Sequence, residues 1–216
     1  MIKACIFDLD GTLTNTLPTI SYYGNCALKK NGFLTFDEER YKYFIGNGAK
    51  TLVARMLAAQ DKMSEENLSR VFEDYSRAYD AAPLYKTAVY DGILPLLACL
   101  PRMGIKTAVL SNKPDFATRS VVEHFFPDSF DIVHGAREGI ALKPSPKGAL
   151  ALMEELGIGD PSEIVYVGDT SVDMDTGKAA GFFTVGVLWG FRTEEELRAH
   201  GADAIVSHPL EILELI

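Results

Sequence analysis

Three polar clusters, far apart in the chain, each stand at the end of a short apolar run. Asp8-Leu9-Asp10-Gly11-Thr12 follows residues 4–7, Ser111-Asn112-Lys113 follows 107–110, and Gly168-Asp169-Thr170-Ser171 follows 164–167, with Asp173 close behind. If the apolar runs are strands of one parallel sheet, their carboxyl ends share an edge, where such sheets bind ligands. Asp8, Asp10, Asp169, Asp173 and Asp175 would then crowd together, and like charges a few ångströms apart do not all stay ionised without compensation. A hard divalent cation with oxygen ligands resolves the crowding, and Mg2+ binds through one or two carboxylates, waters and a substrate phosphate. Ser111, Asn112 and a lysine supply donors for such a phosphate. Each aspartate alone would read as a turn or a helix cap; the convergence carries the chemistry.

Holding these clusters requires strands, and the chain has the pattern. Apolar runs at 4–7, 107–110, 131–133, 164–167, 184–187 and 204–206 alternate with helix-length segments at 92–103, 115–125, 146–156 and 194–200. That alternation predicts an α/β fold, a doubly wound parallel sheet with helices on both faces. Residues 17–83 break the rhythm, with helical stretches at 17–30, 36–44, 49–60 and 64–81 and no convincing buried strand. Ser64 is placed to start the last of these, and the Gly46-Asn47-Gly48 turn separates two others. The expected organisation is a discontinuous core, 1–14 with 84–216, and an inserted all-α cap at 15–83.

The 216 residues suffice for such a domain with an insertion, and the composition is that of an ordinary globular protein. A net charge of −9 argues against a general affinity for nucleic acid or an anionic membrane. It leaves room for a small phosphorylated metabolite, because a bound cation and a few lysines decide that binding locally. No apolar run approaches the roughly 18 residues of a membrane span, and Met1-Ile2-Lys3 does not open a secretory signal. Cys5, Cys26 and Cys99 are odd in number and contain no CxxC pair, so they read as reduced small hydrophobes of a cytoplasmic protein. A monomer or a homodimer is expected.

The four motifs together resemble those of the haloacid dehalogenase superfamily. Asp8-Leu9-Asp10-Gly11-Thr12-Leu13 resembles its first signature, Ser111 after an apolar strand the second, Lys143 in Ala141-Leu142-Lys143-Pro144 the third, and Gly168-Asp169 with Asp173 the fourth. Their order and spacing match along almost the whole chain, and the insertion resembles the family's helical cap of the first type. The resemblance implies a Rossmann-like core and a Mg2+-dependent phosphatase. Asp8 would be the nucleophile and Asp10 the general acid and base. The metal would be held by the Asp8 carboxylate, the Asp10 backbone carbonyl and Asp169, with Asp173 a ligand or linked through water. Ser111, groups around Asn112, and Lys143 would bind the phosphoryl oxygens. Thr12 is expected to steady the Asp8 carboxylate, and Gly11 to permit a sharp turn beside the phosphate. Pro144 and Pro146 suggest a rigid loop presenting Lys143. Thr14-Asn15-Thr16 departs from the apolar residue, Asp and Ser that often follow the first signature.

Substrate choice would lie in the cap. Ile45-Gly46-Asn47-Gly48-Ala49 with Leu52-Val53-Ala54-Arg55, and the tail Val187-Leu188-Trp189-Gly190-Phe191, resemble phosphoglycolate phosphatases. Gly46, Asn47, Gly48 and Lys50 are therefore candidate substrate-selecting residues, and 2-phosphoglycolate the first candidate substrate. The same turn lacks the glycine spacing and preceding strand of a phosphate-binding P-loop. A β-phosphoglucomutase-like enzyme, a pyrophosphatase or a nucleotide phosphatase would share the aspartates. A phosphonoacetaldehyde hydrolase would need a Schiff-base lysine, for which Lys29, Lys30, Lys42, Lys50 and Lys62 are available. A phospho-receiver domain would carry its aspartate deeper in the chain than Asp8, and a noncatalytic binding domain has no need of four intact motifs. His124, His134, His200 and His208 show no ligand spacing and read as surface or helix-terminal residues.

Overall fold

In the computed structural model, which describes residues 1–216, the first apolar run forms β1 (Ala4–Phe7), followed by the two-residue β2 (Thr14–Asn15). Four helices come next: α1 (Leu17–Lys30), α2 (Glu38–Tyr41), α3 (Ala49–Ala58) and α4 (Glu65–Ala81). After β3 (Ala88–Val89) and α5 (Ile93–Cys99) the chain alternates regularly. β4 (Lys106–Pro114) leads to α6 (Asp115–Phe125), β5 (Ile132–Ala136) to α7 (Lys147–Glu155), and β6 (Ile164–Gly168) to α8 (Ser171–Ala180). β7 (Phe183–Val187), α9 (Glu194–Ala199) and β8 (Ala204–Val206) complete the series.

Six strands form one parallel sheet in the order β5-β4-β1-β6-β7-β8. The chain builds outward from β1 on one side and returns to build on the other, so β1 sits at the switch point where ligands bind such sheets. Phe7 pairs in register with Val109 of β4 and Val167 of β6, which brings the polar clusters that follow all three strands to one edge. β1 and β6 are buried along their whole length, the requirement for strands covered on both faces and the reason they read as continuous apolar runs. Ala4, Ile6, Ala108, Leu110, Ile164 and Tyr166 pack on one face with Ala149 and Leu152 of α7. On the alternating positions, Phe7 meets Phe130 edge-on with centroids 6.2 Å apart.

Thr16–Thr87 forms one compact unit, and Met1–Asn15 with Ala88–Ile216 the other. The helical unit has its own core, including Tyr41, Leu52, Met56, Leu57, Val71 and Tyr75. Gly24 of α1 lies against Tyr41, where a Cβ would come within 2.5 Å of the phenol oxygen, so that crossing requires glycine. α4 starts as its sequence suggests, with Ser64 Oγ accepting from the Asn67 N–H at 3.1 Å. α2 is shorter than the 36–44 expectation: Asp37 caps it, accepting from Arg40 N–H at 2.8 Å, and the chain turns after Tyr41. β2 and β3 pair antiparallel where the chain leaves the sheet unit and returns to it.

Candidate active site

The sheet edge gathers Asp8, Ser111, Lys143, Asp169 and Asp173, all buried. Asp8 follows β1 directly, its N–H donating to Val167 O at 2.9 Å. Lys143 Nζ lies 2.7 Å from Asp8 Oδ1 and 2.7 Å from Asp173 Oδ1, so one ammonium bridges two carboxylates far apart in the chain. Burial is the largest influence on Lys143 and favours its neutral form, but Asp173 and Asp8 outweigh it and hold the ammonium well above the ordinary lysine value. Asp8 is pushed up to about 7 by burial and by the Asp173 charge, against the pull of Lys143. Asp169 is driven well above the usual carboxylate range by burial, then by Asp173 and Asp8.

Ligand oxygens of Asp8, Asp169 and Asp173 lie within 4.8 Å of one another. Three buried carboxylates against one ammonium leave two negative charges when all are ionised. A divalent cation with a preference for hard oxygen donors fits that deficit and that donor set. The burial that makes Asp8 and Asp169 resist ionisation is what a bound cation reverses.

Around this centre the chain is tightly folded back. Gly11, at φ 94°, and Gly190 flank Asp169, and a Cβ on either would collide with its side chain. Asp169 Oδ2 accepts from Phe191 N–H at 2.8 Å, and Oδ1 from Thr12 Oγ1–H at 3.2 Å. Thr12 therefore steadies Asp169 rather than Asp8, because the turn at Gly11 aims its hydroxyl across to the β6 end. Trp189 Nε1–H donates to Thr12 O at 2.9 Å, tying the 189–191 loop to the same turn. Asp173 Oδ2 accepts from the Thr170 N–H and hydroxyl at 3.1 and 2.7 Å, as in a capping box at the start of α8. With Oδ1 on Lys143 as well, Asp173 acts in this geometry chiefly as the partner that aims the lysine.

Other expected residues fall in different places. The Asn112 amide holds the backbone of Lys143: Nδ2–H donates to its carbonyl at 3.0 Å, and Oδ1 accepts from its N–H at 2.8 Å. Its side chain is thus committed to the lysine loop, which leaves Ser111 Oγ and backbone groups for a phosphate. Ser111 Oγ already accepts from Lys113 N–H at 3.2 Å and keeps its own proton to donate. Asp175 is turned out on α8, 2.9 Å from His200 Nδ1, because it lies two residues beyond Asp173 on the helix. His134 is buried in β5, not superficial, with Nε2 3.2 Å from Glu155. Cys5 is buried, but Cys26 is exposed; all three thiols are unpaired. In the helical unit, Gly46 and Gly48 take φ of 121° and 84°. Asn47 Oδ1 accepts from Arg55 Nη2–H at 2.6 Å, and Lys50 is exposed in the first turn of α3.

Lys113 is the residue the sequence reading left without a role. Its Nζ lies 2.8 Å from Asp10 Oδ1 and 3.1 Å from Oδ2, with its side chain only 3% exposed. The available signal was its position, directly after Ser111-Asn112 and before a proline on a buried strand.

The family model for haloacid dehalogenase-like hydrolases matches residues 2–181. The chain belongs to that family. Among curated relatives, a phosphoglycolate phosphatase of Rhodospirillum rubrum is 34% identical, covering 95% of this chain and 87% of its own. An N-acetylmuramic acid 6-phosphate phosphatase of Pseudomonas aeruginosa is 30% identical, covering 100% of this chain and 95% of its own. Among solved structures, a candidate phosphoglycolate phosphatase of Lactobacillus delbrueckii subsp. bulgaricus matches with a TM-score of 0.94 at 33% identity, over 99% of this chain and 98% of that one. This haloacid dehalogenase-like hydrolase has the family's Rossmann-like core and is a phosphatase, similar to phosphoglycolate phosphatases. None of its helices is long and apolar enough to cross a membrane.

Proposed function

We propose that the protein is a Mg2+-dependent phosphatase that hydrolyses 2-phosphoglycolate or a close relative through an aspartyl-phosphate. The observation that carries this reading is Lys143 Nζ at 2.7 Å from Asp8 Oδ1, beside two further buried carboxylates. A carboxylate at a strand end with a buried ammonium against it is placed to meet a phosphoryl group as both nucleophile and charge partner.

In the proposed chemistry an Asp8 oxygen forms a bond to phosphorus as the ester P–O bond breaks. Asp10 gives its proton to the departing oxygen. Asp10 then takes a proton from water, which attacks the phosphorus of the acyl phosphate and releases phosphate with Asp8 restored. Lys143 and Ser111 hold the phosphoryl oxygens throughout, and Asp173 and Asn112 keep Lys143 in place. Asp8, Asp169 and the Asp10 carbonyl would hold Mg2+, which supplies charge neutralisation and orientation to the phosphoryl group. Residues 15–83 would act as the cap, with Gly46, Asn47, Gly48 and Lys50 as its substrate-selecting residues.

A second substrate reading, N-acetylmuramic acid 6-phosphate, is favoured by the full-length likeness to the Pseudomonas aeruginosa enzyme. Phosphate release measured across 2-phosphoglycolate, N-acetylmuramic acid 6-phosphate and other small phosphoesters with Mg2+ separates the two. Running Asp8→Asn beside the natural chain tests the chemistry, since full turnover by that variant would remove Asp8 from it.

A further inference from the structure

Lys113 is buried beside the one aspartate of the site that stands apart from the metal-sized cluster. Its ammonium spans both oxygens of Asp10, whose side chain is 14% exposed, the most open of the four acidic groups. The same short segment carries Ser111, whose Oγ accepts from the Lys113 N–H at 3.2 Å. One end of β4 therefore carries both a hydroxyl with a proton to donate and a buried ammonium held against Asp10.

We propose that Lys113 is a specificity-determining residue: its ammonium binds a carboxylate attached to the carbon next to the ester oxygen, so the site selects phosphomonoesters of small α-hydroxy acids. This rests on Asp10 acting at the leaving oxygen, as set out above. A proton donor works within about 2.6–3.2 Å of its acceptor, and Lys113 Nζ is 2.8 Å from Asp10 Oδ1. In an α-phosphooxy acid a single carbon separates the ester oxygen from the carboxylate carbon. When Asp10 reaches the ester oxygen, that carboxylate comes within reach of the neighbouring ammonium. A sugar phosphate places a hydroxyl or a ring carbon there instead. The ammonium seated against Asp10 is the cation that such a carboxylate would meet. A charge-assisted contact of this kind, in a buried setting, discriminates by about 10- to 100-fold.

The test compares kcat/KM with Mg2+ for 2-phosphoglycolate and for 2-hydroxyethyl phosphate, in which a neutral alcohol replaces the carboxylate. The natural chain should prefer 2-phosphoglycolate by about 10- to 100-fold. In Lys113→Met both values should fall, because Asp10 loses its partner, and the preference should collapse to near unity. A Lys113→Met variant that loses activity equally on both substrates and keeps its preference would overturn the proposal. So would a natural chain with no preference, a result that needs no variant to fold. Turnover confined to N-acetylmuramic acid 6-phosphate overturns the Lys113 reading while the two-aspartate chemistry stands. That chemistry fails separately, if Asp8→Asn turns over normally.

Discussion

The Asn112 side chain grips the backbone of Lys143 at both ends, donating to its carbonyl at 3.0 Å and accepting from its N–H at 2.8 Å. It thereby joins the end of β4 to a loop 31 residues later and fixes where the Lys143 ammonium stands. Asn112→Ala removes both contacts and leaves the buried backbone groups of Lys143 without them. Stability should fall by about 1–3 kcal/mol, read as a lower Tm or denaturant midpoint. kcat/KM should fall by about 100-fold, since a misplacement of about 1 Å is costly at a reacting centre. A variant with lowered stability and unchanged kinetics would show that the grip serves the fold alone.

Thr12 gives a different signature because its hydroxyl supports Asp169 Oδ1 rather than the nucleophile. Thr12→Val keeps the shape and deletes that hydrogen bond. Groups that orient metal ligands typically change metal affinity by about 10- to 100-fold when removed. The Mg2+ concentration giving half-maximal activity should rise by that factor, while kcat at saturating Mg2+ stays within a few-fold. A fall in kcat with no change in Mg2+ dependence would contradict this assignment.

Metal removal should be visible in stability as well as in turnover. The Asp8, Asp169 and Asp173 carboxylates oppose one another in the folded chain, whereas the unfolded chain separates them. Mg2+ at about 100 times its dissociation constant should stabilise the fold by about 2.7 kcal/mol. Chelation should abolish phosphate release and lower Tm, and re-addition of Mg2+ should restore both. Asp169→Asn should lose the Mg2+-dependent rise in Tm.

Asp203 predicts a pH effect away from the site. Burial alone would raise its carboxyl, but Lys178, at 2.8 Å, and the Thr184 N–H and hydroxyl lower it below the usual 3.8. A depressed carboxyl contributes stability that is fully present above its unfolded value and lost as pH falls through the folded one. The acid limb of the natural chain's stability below about pH 4 should therefore be steeper than that of Asp203→Asn, measured by urea unfolding. Above that pH the variant should be the less stable of the two by a constant amount.

Much of the sheet was legible because parallel strands covered on both faces must be apolar at successive positions. β1 and β8 begin and end at the predicted residues, as do α1 and α6. α8 was not legible: Gly168-Asp169-Thr170-Ser171 has the composition of a turn, and the helix that follows is started by Asp173 and Thr170 holding each other. β4 runs on to Pro114 although Ser111-Asn112-Lys113-Pro114 reads as loop, because Pro114 pairs with Ala136 after a break in register. β2 and β3 leave no sequence pattern for a related reason, since two-residue strands exist only through a partner more than 70 residues away.

The sequence by itself determined which chemistry could assemble. Apolar runs ending in Asp8-Leu9-Asp10, Ser111-Asn112 and Gly168-Asp169 can share a sheet edge in few other ways, because period and length are local properties of the chain. Tertiary structure decided which group serves which. Thr12 turned to Asp169, Asn112 to the Lys143 backbone, Lys113 to Asp10, and Asp175 away to His200. Those choices depend on side-chain directions set by the turn at Gly11, the irregular end of β4 and the first turn of α8. Each of these is shaped by packing against residues remote in the chain.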